Sequence, residues 1–369
     1  VYPQDIVRKR GKRKMKKKIA AVLLSVLMAS SVLAGCLGGQ ESQTEETETQ
    51  EQETQEAEEQ PSQETEAEPV DVDVMALKGP TAMGMVKFMD EVDSGSVTSE
   101  NYNFSIAASA DEVTPKLVQG ETDIAAVPAN LASVLYNKTQ GQVEVLAVNT
   151  LGVLYIVENG DTVQSVEDLR GKTIYASGKG STPEYALEYV LSANGIDPEK
   201  DVTIEWKSEH SECVAAITSS ENGIAMLPQP FVTTAETQNP SIRTALDLTE
   251  EWDKAQKTEE NNSALITGVV VARTDFIEEN PEAVEDFMTR YQESVDYVNS
   301  NTEDAAELVG KYDIVTPEVA EKALPECNIV FMEGEEMKEK LSGYLEVLGG
   351  QNPEAIGGEV PGDDFYYSR

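Results

Sequence analysis

From about position 70 onward, apolar residues fall into short clusters that alternate with longer stretches where they recur every three or four positions. The first pattern predicts buried strands and the second predicts amphipathic helices. The same succession occurs twice, a hundred positions apart. Val72 to Leu77 reads as a strand, followed by the turn Lys78-Gly79-Pro80-Thr81-Ala82-Met83-Gly84 and a helix over 85–92. Lys172 to Ala176 reads likewise, followed by Ser177-Gly178-Lys179-Gly180-Ser181-Thr182 and a helix over 183–194. Here Thr182 is the expected N-cap, Pro183 the first helical residue and Gly195 the stop.

The repeat continues downstream. A helix over 111–119 precedes Gly120-Glu121-Thr122-Asp123-Ile124-Ala125-Ala126-Val127-Pro128-Ala129-Asn130. A helix over 212–219 precedes Ser220-Glu221-Asn222-Gly223-Ile224-Ala225-Met226-Leu227-Pro228-Gln229-Pro230. Each copy is a short buried strand stopped by a proline, which lacks the N–H that a ladder needs. Strand, glycine-rich turn, helix and strand compose a mostly parallel α/β sheet, and ligands of such sheets sit at the carboxyl ends of the strands. The helix starts after Thr81 and Thr182 are expected to offer free N–H groups to a carboxylate, sulfonate or phosphate.

Two apolar runs with a central glycine set the domain map. The run 143–157 with Gly152 is expected to leave a first lobe, and 264–272 with Gly268 to bring the chain back. A long amphipathic helix then begins at Thr274, with Pro281, Val284, Phe287, Met288, Tyr291, Val295 and Val298 on one face. Lobe one is therefore 70–150 plus 270–369 and lobe two is 151–269. Two crossing strands make a hinge with a cleft between the lobes.

Charge adds compartment and exclusions. The chain has 28 Lys+Arg against 68 Asp+Glu and a net charge of −40. Residues 1–36 carry about +8, 37–70 about −12 and the remainder about −36. So acidic a body repels phosphates, which excludes a nucleic-acid partner. The basic run 8–18, the apolar run 19–34 and the small residues after it read as a secretory signal, with the Met-Lys-Lys-Lys start expected at Met15. Residues 37–69 lack the apolar residues needed to bury a core and are expected to form a disordered acidic tether. One histidine, His210, and three cysteines, Cys36, Cys213 and Cys327, leave little for metal or catalytic chemistry. The His210-x-x-Cys213 spacing reads as an ordinary surface turn, and Cys213 and Cys327 as free thiols. No P-loop ending follows either glycine-rich turn.

Leu33-Ala34-Gly35-Cys36 resembles the lipobox of bacterial lipoproteins, which implies lipidation (a palmitate-type anchor) at Cys36. The Leu-Lys-Gly-Pro-Thr-Ala-Met-Gly-Met turn, the Val-Pro-Ala-Asn and Leu-Pro-Gln-Pro strand ends and Asn-Pro-Glu-Ala-Val-Glu-Asp-Phe resemble the solute-binding lipoproteins of ABC importers, in the nitrate/sulfonate/taurine and thiamine-precursor group. The resemblance implies a type II periplasmic-binding-protein fold, no catalysis or cofactor, a small-molecule solute, and permease and ATPase partners. It also implies an extracytoplasmic monomer held to the membrane by lipid. Ligand contacts are implied at Thr81, Ala82, Met83, Pro128, Ala129, Asn130, Gly180, Ser181, Thr182 and Gln229. Tyr155 joins them because it follows the crossing strand toward the cleft. The alternatives are a biosynthetic enzyme of the same fold, such as a thiamine-pyrimidine synthase or menaquinone-pathway lyase, and a surface sensor lipoprotein.

Overall fold

In the computed structural model, which describes residues 69–259 and 263–369, the first apolar cluster is strand β1 (Asp71–Leu77). It is followed by the single turn α1 (Pro80–Met83) and by helix α2 (Val86–Asp93). Then come β2 (Asn101–Ala107), α3 (Ala110–Gln119), β3 (Ile124–Pro128), α4 (Ala129–Thr139) and β4 (Val143–Leu151). Past Gly152 the chain forms β5 (Leu154–Asn159), β6 (Thr173–Ser177), α5 (Thr182–Ala193), β7 (Thr203–Lys207) and α6 (His210–Thr218). These lead to β8 (Ile224–Pro228), α7 (Phe231–Gln238), β9 (Ile242–Asp247) and α8 (Leu248–Glu259). The chain ends with β10 (Ile266–Arg273), α9 (Thr274–Glu279), α10 (Pro281–Ser300), α11 (Thr302–Lys311), α12 (Pro317–Ala323), β11 (Ile329–Met332) and α13 (Gly334–Gln351).

The strands form two separate sheets, ordered β11-β4-β10-β3-β1-β2 and β7-β6-β8-β5-β9. In the first sheet β1, β2, β3 and β4 run one way and β10 and β11 the other, and in the second β6, β7, β8 and β9 run one way with β5 inserted antiparallel. This is a two-lobe α/β fold of the periplasmic-binding type. The repeat extends to the register. Val74 pairs with Ile124 and Phe104, and Ile174 pairs with Ile224 and Ile204, so the offset of a hundred holds on both sides of the central strand.

Period-two alternation decides which side chains meet. Val72, Val74 and Ala76 of β1 enter a core with Phe88, Phe287 and Tyr291, whereas Met75 faces the other side of the sheet. In the second sheet Leu154, Ile156 and Met226 face one core, and Tyr155, Val157 and Leu227 the other. The core that holds Met75 is continuous with the one that holds Ile156 and Met226. Helix α13 contributes to that continuity, because Tyr344 packs on Trp252 at 5.5 Å between ring centroids.

Three sequence expectations change. The long helix from Thr274 is split at Asn280, whose backbone (φ −137°, ψ 55°) leaves the helical region because Pro281 follows it. Ser181, with an extended backbone, precedes α5 as its cap position, and Thr182 is the first helical residue. His210 and Cys213 lie within the first turn of α6 and not in a surface turn, because Glu209 is extended and Glu212 favours a helix start. Cys213 and Cys327 are both free and buried, in different cores. The leader, Cys36 and the acidic stretch up to position 68 lie outside the described residues.

Candidate functional site

The carboxyl ends of β3 and β6 approach one another where the lobes meet. Asn130, in the first turn of α4, accepts a hydrogen bond on Oδ1 from the Thr182 backbone N–H at 3.2 Å. Its amide donates to Ala355 O at 3.1 Å and, at a longer 3.5 Å, to Gly180 O. The Thr182 hydroxyl also points to Asn130 Oδ1 and accepts from the Tyr344 hydroxyl at 3.1 Å. Asn130, Thr182 and Tyr344 are all buried. Buried polar groups must find partners, and each lobe here supplies the other's.

The remaining candidates divide by what their side chains touch. Thr81 is half-buried and donates its hydroxyl to Leu77 O at 2.7 Å. The Ala82 and Met83 side chains are fully buried in the core, where the Cys327 thiol meets Met83 Sδ at 3.8 Å, so only their backbone can serve a ligand. Pro128 lies opposite Gly268, and Ala129 is buried in the core. Gly180 is exposed and Ser181 half-buried. Tyr155 donates its hydroxyl to Glu326 O at 3.3 Å, a contact between strand β5 and the far end of the chain. Burial pushes its pKa up, so the hydroxyl remains a donor. Gln229 is buried, with Oε1 accepting from Thr233 N at 3.2 Å and Thr233 Oγ1 at 2.9 Å.

The helix ends differ from the anion sites expected of them. At α5, Thr182 N is taken by Asn130 and Gly180 N by the Glu184 carboxylate at 2.5 Å. At α1, the helix is a single turn whose amides Ala82 N and Met83 N bond Gly79 O.

Sequence reasoning did not single out several residues at these edges. Asn149 is fully buried and meets Thr81 O through Nδ2 at 3.5 Å and Thr150 Oγ1 through Oδ1 at 3.1 Å. Gly268 is held against both. A Cβ there would come within 2.5 Å of Asn149 Oδ1 and 2.7 Å of Thr81 Cγ2. In lobe two, Ser177, His210 and Phe231 cluster at the ends of β6, β7 and β8. Their signal was the repeat itself, since His210 stands a hundred positions after Ala110 and both open helices. Strand β7, which was not recognised, would have pointed to it.

Two hollows of about 410 and 210 Å³ lie elsewhere, at the amino-terminal edge of the first sheet. Gly120, Gln142 and Arg273 line the larger, and Asp73, Asn103 and Lys116 the smaller. Among the described residues no group of three or more His, Cys, Asp and Glu is arranged to hold a metal. No helix among them is long and apolar enough to cross a membrane.

Two lobes, paired crossing strands and buried polar groups at facing strand ends define a two-lobe solute-binding fold. The chain belongs to the family described as ABC transporter, phosphonate, periplasmic substrate-binding protein, whose model matches residues 94–321. The sulfonate-binding and nitrate-binding proteins among its structural neighbours agree with the resemblance drawn from its motifs. A binding protein of Brucella abortus is 23% identical over 178 residues, 48% of this chain and 52% of that protein. The chain thus spans about half the length of that relative. An ABC transporter structure from Parabacteroides distasonis aligns with a TM-score of 0.65 and 21% identity, covering 82% of this chain and all of the other. The periplasmic aliphatic sulphonate binding protein SsuA of Escherichia coli aligns with a TM-score of 0.64 and 14% identity over 81% of this chain and 92% of its own. At these identities the structural likeness carries the fold.

Proposed function

We propose that this protein captures a small polar or anionic organic solute between its lobes by hinge closure and delivers it to an ABC permease driven by its ATPase. It acts without catalysis or cofactor, as an extracytoplasmic monomer. Residues 70–150 plus 270–369 make lobe one and 151–269 lobe two, with 1–36 as signal and 37–69 as tether. Cys36 carries the lipid that holds the protein to the membrane.

The observation that supports this reading is the Asn130–Thr182 bond, a buried polar contact between two strand ends of separate sheets. Separating the two sheets would break such a pair. A ligand favours closure only through contacts that differ between the two states. Thr81 and Pro128 of lobe one and Gly180, Ser181 and Gln229 of lobe two are the proposed contacts, with Asn130, Thr182 and Tyr155 closing the lobes around the solute. Ala82, Met83 and Ala129 contribute backbone alone.

The test is a thermal-shift and calorimetric panel of methylphosphonate, ethanesulfonate, nitrate, uracil and 2-pyridone. A ligand at a hundred times its Kd stabilises by about 2.7 kcal/mol, a rise in Tm of roughly 4 °C for a body of this size. No rise with any of them argues against the reading. Replacing Cys36 by Ala is expected to abolish lipid labelling. Retained labelling argues against the anchor.

A further inference from the structure

At the carboxyl edge of the second sheet, Ser177 ends β6, His210 opens α6 and Phe231 opens α7. Ser177 is buried, and its Oγ lies 2.5 Å from His210 Nδ1. The His210 and Phe231 rings stand 5.0 Å apart between centroids, tilted by 42°. Chemistry sets the direction of the short bond. The Ser177 hydroxyl has one proton to give, and its alternative acceptor is the Cys213 sulfur, which bonds the same serine. Sulfur is a weak acceptor beside an imidazole nitrogen, so we assign the proton to Nδ1, which leaves the ring proton on Nε2. Burial holds the His210 pKa down to about 4, which leaves the ring uncharged at neutral pH. Gln229 is oriented by the same logic. A backbone N–H can only donate, so the atom that meets Thr233 N is the amide oxygen and the NH2 group is left as donor.

We propose that His210, Gln229 and Phe231 form a subsite of lobe two that selects the uncharged part of the solute, an apolar body carrying a hydrogen-bond acceptor. The inference rests on the solute-binding reading above. An uncharged ring donor beside the Phe231 face, with the Gln229 amide two positions before Phe231 at the same strand end, matches such a group. A buried oxoanion would need a cation or many converging donors. The nearest basic residues along the chain are otherwise disposed. Lys207 pairs with Glu205 at 3.2 Å over the Tyr175 ring, although its charge reaches Cys213, and Lys179 is exposed. The repeat sharpens the assignment, because the position equivalent to His210 in lobe one is Ala110, which has no donor side chain.

His210 is the only histidine in the chain, so labelling with nitrogen-15 histidine gives one imidazole to observe. At pH 7 without solute the spectrum is expected to show the Nε2–H tautomer. Uracil, 2-pyridone and benzamide, added against methylphosphonate and ethanesulfonate, are expected to shift it where they raise Tm. His210→Phe should lose about tenfold in affinity for such an uncharged probe, and His210→Gln, which keeps a donor, about threefold or less. An Nδ1–H tautomer or a protonated ring overturns the subsite. So does equal affinity of the wild type and His210→Phe, or a spectrum that only the two oxoanions move. A panel that raises Tm with His210 unmoved strikes the subsite alone. A panel that leaves Tm unchanged strikes the solute-binding reading on which it rests.

Discussion

Asn130 Oδ1 accepts the backbone N–H of Thr182 across the two lobes, at 3.2 Å and in a buried setting. The first N–H of helix α5 has no partner inside its own helix, so lobe one supplies one. That makes Asn130 a clasp whose loss is felt in the balance between open and closed forms.

Replacing Asn130 by Ala is therefore expected to favour the open form by about 1–2 kcal/mol, a five- to thirty-fold change in the ratio. Small-angle scattering of the solute-free protein should report a larger radius of gyration. An unchanged radius would falsify the clasp.

Tyr344 separates ring packing from hydrogen bonding. Its ring lies against Trp252, and Trp252 in turn lies 4.4 Å from the Tyr189 ring. Tyr344→Phe removes only the bond to Thr182 Oγ1 and should cost about 0.5–1.5 kcal/mol in chemical denaturation. Tyr344→Ala also removes the ring and should cost about 3–5 kcal/mol. Equal costs would show that the ring contributes nothing beyond its hydroxyl.

Glu158 is a fully buried carboxylate that accepts from Thr162 N, Thr162 Oγ1, Val163 N and Arg243 Nη2. Desolvation raises its pKa, but the bonds from Thr162 and Val163, with the Arg243 charge, outweigh it and the pKa is lowered. A carboxylate depressed in the folded state stabilises the fold above its unfolded pKa of roughly 4.3, and that stability is lost as the pH falls through the folded value. Glu158→Gln should cost about 1–3 kcal/mol at pH 7 by weakening the bonds from Thr162, Val163 and Arg243, which keeps Asp161 and two backbone carbonyls as partners. It should also flatten the stability profile below about pH 4.3. The measurement is urea denaturation across pH 3–7, and a parallel profile for the variant contradicts the assignment.

Gly268 permits the close approach of β10 to Asn149 and Thr81. Gly268→Ala is expected to destabilise by about 1–3 kcal/mol through overpacking and to weaken solute binding together with it. Unaltered Tm and affinity would mean that Thr81 yields freely, and that this edge of lobe one is not tightly built.

The two-lobe plan and its duplication were legible from local pattern. The apolar clusters at 72–77 and 224–227 marked buried strands, because a short apolar run is a property of the segment itself. Prolines 128 and 228 marked strand ends for an equally local reason. The structure keeps the hundred-residue offset in its register as well, since equal segments in equal order pair alike. The helix ends were read as vacant because a sequence shows a helix's own donors and not what another element brings to them.

What the chain alone determined, then, is which residues are buried in each lobe and at which strand ends chemistry can sit. Only the tertiary structure decided that Asn130 meets Thr182, 52 positions away, and that Tyr344 joins them from 162 positions away. It alone brought His210 to Ser177 and Phe231. The physical reason is that burial follows from backbone periodicity within a segment. Directional polar contacts depend instead on how separately formed segments are carried together, and no local pattern encodes that.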